Sequence, residues 1–450
     1  MPRITLARPA LAAAGAFLAA GATAGAQVTA VASSNQVMSG FFGGSVSGIP
    51  DVNGDGRGDI VVGAPNETVN GIQGAGRVYI HSGANGALLR VLQSPSPRFN
   101  GNFGIAVAGS PDINGDGRGD VIVGAANEND NPIASGRAYV FSGATGALFA
   151  QMISPNRQTG GGFGTSVAWV PDVNGDGFPD AVVGAPNETS GNHPAGAGRA
   201  YIYNGRTGQL LTKLIPYFPR AQGSFGFSVA GIPDRNNDGR GDVVVGAPRE
   251  GVPENSGRIH WYSGFNGVRL FTNQSANIAE NGFFGYSLAT IPDASGDLFP
   301  DIVVGAPYEH PLTSPHNAGR AYIYNGRTGS IWKKIVPIIQ MPNMEFGVSV
   351  GGIADMNGDG RGDAIVGSWQ ETPANSPAWC GRAHVHSGIT GARLTTFASP
   401  NRVLQGRFGV AVAGVPDTNA NGRGDVLIGA SAENGSTGAS RAGRAYLIRY

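Results

Sequence analysis

One arrangement of oxygen-bearing residues recurs seven times along this chain. Its first copy reads Asp51-Val-Asn-Gly-Asp-Gly-Arg-Gly-Asp59. Side-chain oxygens fall at loop positions one, three, five and nine, and position seven can offer its carbonyl. A hard cation takes six or more oxygens, and alternate residues of a tight loop point inward, so this spacing suits calcium. The expected ligands of copy one are Asp51, Asn53, Asp55, Arg57 (through its carbonyl) and Asp59. The next three copies supply Asp112, Asn114, Asp116, Arg118 and Asp120; Asp172, Asn174, Asp176, Phe178 and Asp180; and Asp234, Asn236, Asp238, Arg240 and Asp242. Copy six supplies Asp355, Asn357, Asp359, Arg361 and Asp363. Two copies are degraded. Copy five has Asp293, Ser295, Asp297, Phe299 and Asp301, with Leu298 where glycine should permit the sharp turn. Copy seven has Asp417, Asn419, Asn421, Arg423 and Asp425, one carboxylate short. Five strong calcium sites and two weaker ones are expected.

Two other readings compete. An EF-hand shares the opening residues but needs a bidentate Glu at position twelve, where Val62 stands, and helical flanks, where β-branched runs stand. Plain Asp/Asn/Gly turns without metal are the other alternative; seven regular copies argue against them. Gly-Arg-Gly-Asp occurs in five copies, but its Asp is the position-nine ligand, which argues against a displayed adhesive tripeptide.

The remaining acids do not suggest catalysis. The loops use 20 of the 31 acidic residues, and one Glu per copy (Glu67, Glu128, Glu188, Glu250, Glu309, Glu371, Glu433) takes seven more. Asp130, Glu254, Glu280 and Glu345 are left over, scattered over different copies, whereas a glycosidase needs two converging carboxylates. Each repeated Glu faces a repeated Arg across a hairpin, from Arg77 to Arg444, and a cross-strand ion pair is expected there. His260 and His384 stand in the slot of Tyr79 and read as aromatic replacements. No catalytic or organic-cofactor residues are assigned.

The elements that position these loops follow from the repeat. Phe-Gly recurs at Phe42, Phe103, Phe163, Phe225, Phe284, Phe346 and Phe408, at intervals of 59 to 62 residues, with copies beginning near 41, 102, 162, 224, 283, 345 and 407. Each copy holds four short runs rich in Val, Ile and Tyr and bounded by Gly, Pro and Asn, which are strand signals. Four hairpin-linked strands make one antiparallel sheet, and seven such sheets bury their faces by packing radially. The predicted fold is all-β: a single seven-bladed β-propeller over 27–450. The seventh copy reaches Tyr450 inside its third strand, so the β-like stretch Gln27–Ser33 is expected to complete it and close the ring.

Bulk composition agrees. The chain has 450 residues, 74 glycines without a collagen period, 14% charged residues and a formal net charge of +0, so no long-range field recruits nucleic acid or an anionic membrane. Arg3 and Arg8, an alanine-rich apolar stretch and the small residues Ala24-Gly25-Ala26 read as a signal peptide over 1–26. A secreted, periplasmic or cell-surface monomer without membrane insertion is expected. Cys380 is alone, so no intrachain disulfide can form.

Phe-Gly, a calcium-type loop and Gly-Ala-Pro together resemble the FG-GAP repeat of the propeller in integrin α chains, over essentially all of 27–450. The resemblance implies calcium loops on a lower face and closure by an N-terminal strand. It also implies an upper, partner-binding face made of the loops after Gly-Ala-Pro and between blades, including Asn66–Ala75, Asn187–Ala197, Tyr308–Ala318 and Trp369–Cys380. The expected function is a non-catalytic, calcium-dependent binding or adhesion module for a protein or glycan. The alternatives are an extracellular polysaccharide-acting enzyme on a propeller scaffold and a purely structural surface protein.

Overall fold

The computed structural model describes residues 26–130, 133–189, 191–310 and 317–450. The expected signal peptide lies outside them except for Ala26, as do Ser190 and 311–316 of two expected upper loops. Seven four-stranded antiparallel sheets form the blades, with a two-residue hairpin (Asn129–Asp130 with Ile133–Ala134) added to blade 2. Blade 1 runs Ser45–Ile49, Asp59–Ala64, Arg77–His81 and Leu88–Leu92, and the later blades follow the same order. In blade 7 the fourth place is taken by Gln27–Val31, paired in register from Gln27 opposite Arg449 to Val31 opposite Ala445. The first strands neighbour one another all the way round, and the first strand of blade 7 lies against that of blade 1. The closure expected from the sequence is therefore the closure observed.

Second strands explain the dense β-branched runs: each is buried along its whole length, as in Asp59–Ala64, because both faces meet a neighbouring blade. Among the described residues, seven apolar clusters fill the seven blade boundaries. The boundary between blades 7 and 1 joins Leu427 and Leu447 to Ile60, Val62 and Phe42. Every Phe of the Phe-Gly pair is fully buried, and its N–H donates to a backbone carbonyl of the preceding blade, as from Phe103 to Ala75 at 3.0 Å and from Phe42 to Ala442 at 2.9 Å. Glycine has a steric reason at this seam. A Cβ on Gly63, the first residue of Gly-Ala-Pro, would sit 2.1 Å from the carbonyl oxygen of Gly104 in blade 2. Phe-Gly and Gly-Ala-Pro are thus the two sides of one backbone-to-backbone contact between blades.

Candidate functional site

Strands that alternate in direction place the loop after each first strand and the turn after each third strand at the same end of the blade. The Asp loops lie at that lower end. In loop 1 the Asp51 carboxylate accepts from the N–H groups of Asn53, Gly54 and Gly56 at 3.0, 2.6 and 2.8 Å. Asp55 accepts from Arg57 N–H at 3.0 Å and from the Asn53 amide at 3.1 Å. Asp59, fully buried, accepts from Val52 N–H at 2.9 Å and, across to the third-strand turn, from Gly83 N–H at 2.9 Å. The same pattern holds in loop 6, where Asp363 accepts from Met356 and Gly388. Because Asp59, Asp120, Asp242, Asp363 and Asp425 are all buried, the Gly-Arg-Gly-Asp tetrapeptides are not displayed.

These loops test well as a cradle for a hard cation. Every donor is oxygen. On Asp55 and Asp59 each carboxylate oxygen takes one internal hydrogen bond, leaving a lone pair to spare. Burial, joined by the charges of Asp55 and Asp51, pushes the Asp59 carboxyl up to about 6. Asp180, Asp242 and Asp363 are raised to about 6 by burial and by the same two loop carboxylates; Asp120 is raised to about 6 by burial and by Asp116. A cation among these groups would relieve that repulsion. At Asp51 burial is outweighed by the N–H groups of Gly56, Gly54 and Asn53 and by Arg118, which hold it below the usual carboxylate range. Among the described residues no group of three or more His, Cys, Asp and Glu closes into a metal cluster. Any metal here would draw on Asn, Ser and carbonyl oxygens as well.

Three features of the loops went unread in the sequence. First, the turn after the third strand adds a polar group: Ser142 donates to Asp116 at 3.3 Å, Ser263 to Asp238 at 2.8 Å and Asn325 to Asp297 at 2.8 Å. Its recurrence as Ser or Asn ahead of a glycine was the available signal. Second, position four needs a left-handed backbone as much as position six. Gly54 has φ 88°, while Asn237 and Ala420 adopt 61° and 62° at the equivalent places. Leu298 at position six of loop 5 adopts φ 67°, and its N–H still reaches Asp293 at 2.9 Å. The degraded copy thus keeps the loop shape, with the strain of a branched side chain in the left-handed region. Third, the position-seven arginine links neighbouring loops. Arg118 reaches back to Asp51 at 3.0 Å, Arg361 to Asp293 at 2.8 Å and Arg240 to Asp172 at 3.9 Å. Arg57 donates to the carbonyl of Thr418 at 3.1 Å, joining blade 1 to blade 7. In loop 7 the amides of Asn419 and Asn421 both turn to the carbonyl of Tyr450.

At the opposite end, the repeated Glu makes a closer contact than the expected cross-strand ion pair. Among the described residues Arg77, Arg199 and Arg382 come within 3.6, 4.0 and 3.0 Å of Glu67, Glu188 and Glu371. The shorter contact is to the third-strand aromatic. Tyr79 donates to Glu67, Tyr201 to Glu188, Tyr322 to Glu309 and Tyr446 to Glu433, each at 2.5 Å, and Tyr139 donates to Glu128. His260 and His384 take the tyrosine's place, 2.8 and 2.7 Å from Glu250 and Glu371, so they replace the hydrogen bond as well as the ring. The preceding blade joins in: Ser33 donates to Tyr79 at 2.8 Å and Ser275 to Tyr322 at 3.0 Å. In six of the seven, all but Glu371, the second carboxylate oxygen is buried without a partner. Burial pushes Glu309 and Glu433 up to about 7.

The upper face carries most of the exposed large apolar side chains outside the strands, among them Met38, Phe99, Tyr217, Ile278, Ile338, Trp379 and Leu404. No described helix is long and apolar enough to cross a membrane.

Comparison with known proteins agrees with this architecture. The FG-GAP repeat matches residues 42–81, 103–141, 163–203, 225–260 and 284–324, which are blades 1 to 5; blades 6 and 7 are built in the same way. Integrin alpha-3 of Mus musculus is 32% identical over 174 residues, which is 37% of this chain and 16% of that protein. Integrin alpha-6 of Gallus gallus is 38% identical over 148 residues, 32% of this chain and 13% of that one. Integrin alpha-7 of Homo sapiens is 38% identical over 177 residues, 36% of this chain and 14% of that one. The matched stretches are thus a small part of those relatives' length. A chain from a crystal structure of BBS1N in complex with ARL6DN superposes with a TM-score of 0.52 at 10% identity, covering 92% of this chain and 93% of that one, a likeness of fold alone. With five matched repeats and seven blades closed into a ring, the chain carries FG-GAP repeats and forms an integrin-α-like β-propeller.

Proposed function

We propose that this propeller is a non-catalytic, calcium-dependent binding or adhesion module that works outside the cytoplasm. The observation that carries the reading is the set of lower loops, in which oxygen donors gather around mutually repelling carboxylates in copy after copy. Asp51, Asn53, Asp55 and Asp59 with the Arg57 carbonyl, and their equivalents in loops 2, 3, 4 and 6, would hold calcium. Loops 5 and 7 would hold it more weakly. When bound, the ion supplies positive charge that neutralises the loop acids. The chain's own residues do the rest. The position-nine Asp ties loops 1 to 6 to the third-strand turn, and the arginines at position seven of loops 1, 2, 4 and 6 each tie their loop to the preceding one. The upper face, with its exposed apolar side chains, would engage a protein or glycan partner.

Calorimetric titration of chelated protein with calcium tests the first half. Five to seven bound ions per chain are expected; fewer than two would contradict it. Binding to a partner through the upper face should then weaken on chelation.

A further inference from the structure

Glu345, one of the four acids that the repeats do not use, lies in a part of the upper rim unlike the rest. It is 6% exposed and stands just before the Phe-Gly of blade 6. Trp369 Nε1 donates to it at 2.6 Å, the Gln370 amide donates to its other oxygen, and Tyr308 hydrogen-bonds to it as well. From this carboxylate an aromatic arc runs both ways round the rim. In one direction the Arg407 guanidinium lies 4.7 Å over the Trp369 ring and 5.9 Å from that of Phe41. In the other, Tyr308 packs against Phe283 at 5.2 Å and Tyr286 at 6.4 Å, and Tyr286 meets Phe227 of blade 4 at 4.8 Å. All of these rings are half-buried, with part of each open to solvent.

The rim of blades 1 and 2 is built from amides instead. Asn102 donates to Asn66 at 2.9 Å and accepts from Asn127 at 2.6 Å. Each amide can make up to four hydrogen bonds, and this ladder takes only the carbonyl oxygen of Asn66 and the nitrogen of Asn127. Aromatic faces and unsaturated neutral amides therefore share one rim around the axis.

We propose that this rim binds a neutral glycan. The inference rests on the binding-module reading and names the partner class at its upper face. Aromatic faces stack on the C–H faces of sugar rings, and neutral amides match hydroxyl groups that both donate and accept. A cationic guest is disfavoured because Arg407 already covers Trp369. Glu345 offers it no help, with both oxygens engaged by internal donors.

The repeat supplies substitutions that the fold already tolerates. Trp369 stands where blades 3, 4 and 5 carry Pro186, Pro248 and Pro307, and Phe283 stands where blade 4 carries Ser224. Ser224 adopts the same left-handed backbone, φ 58° against 53°. The experiment screens calcium-loaded wild-type protein against cello-, manno-, xylo- and galacto-hexaoses, then measures affinity for the tightest binder in Trp369→Pro, Phe283→Ser and, as a control away from the arc, Tyr217→Ala. Melting curves check that each variant is folded. The proposal expects binding that quenches tryptophan fluorescence, at least a tenfold loss in Trp369→Pro and Phe283→Ser, and less than a twofold change in Tyr217→Ala. Undiminished binding in both arc variants would move the site elsewhere and overturn the inference. Failure of folded protein to bind any of the four would overturn it too. Neither result touches the calcium titration, on which the wider reading stands or falls separately.

Discussion

Glu309 shows how far a residue's sequence partner can mislead. An acid facing an arginine across a hairpin reads as an ion pair, yet Tyr322 and Ser275 make the close network and one carboxylate oxygen is left without a partner. The Tyr was legible as a strand former, but its hydroxyl could not be aimed from sequence because the acid lies past the end of the second strand. A pH effect follows. The ordinary value of 4.5 is pushed up to about 7 by burial, against the opposing pull of Ser275, Tyr322, Arg320 and Lys334. A carboxyl raised on folding holds its proton more tightly in the folded state. Its contribution is complete below pH 4.5 and is lost as pH rises through about 7. Between those limits wild type should lose on the order of 2–3 kcal/mol more than Glu309→Gln, since each pKa unit is worth about 1.4 kcal/mol. Denaturant unfolding at pH 4.5, 6 and 8 in saturating calcium checks this; parallel curves for the two proteins would count against it.

Elements carry the second lesson. The strands, their order and the Asp loops were readable because hydrophobic alternation, turn residues and a 59–62-residue repeat all pointed one way. What holds one blade to the next was not readable, since Phe-Gly and Gly-Ala-Pro lie apart in sequence and meet only across a blade boundary. Gly63→Ala should cost about 3 kcal/mol, as a Cβ there would sit 2.1 Å from the Gly104 oxygen and 2.2 Å from Ser45 Oγ; a change in thermal midpoint within error would refute the seam. At Leu298, 89% exposed with φ 67°, Leu298→Gly relieves left-handed strain and should stabilise by about 1 kcal/mol. Calcium affinity of loop 5 should rise with it. A loss of stability would show that the Leu side chain has a role of its own.

For the molecule as a whole, closure matters most. The strand Gln27–Val31 covers the open edge of Arg444–Arg449, and its removal would leave a row of unpaired N–H and C=O groups. A chain starting at Ala32 should melt at least ten degrees lower and associate through the bared edge, seen by light scattering; an unchanged monomer with the wild-type melt would mean that the ring closes without its strand.

On the proposed reading, metal would be the staple that a chain with one cysteine cannot obtain from disulfides. With extracellular-type affinities on the order of 0.1–1 mM, calcium at about 1 mM would add up to about 1.4 kcal/mol per site by mass action. The most direct test is the thermal midpoint of wild type in 1 mM calcium and in excess EDTA. A fall of well over ten degrees on chelation is expected, reversed by restoring calcium. Superimposable melting curves would contradict it and leave the Asp loops as turns closed by their own backbone hydrogen bonds.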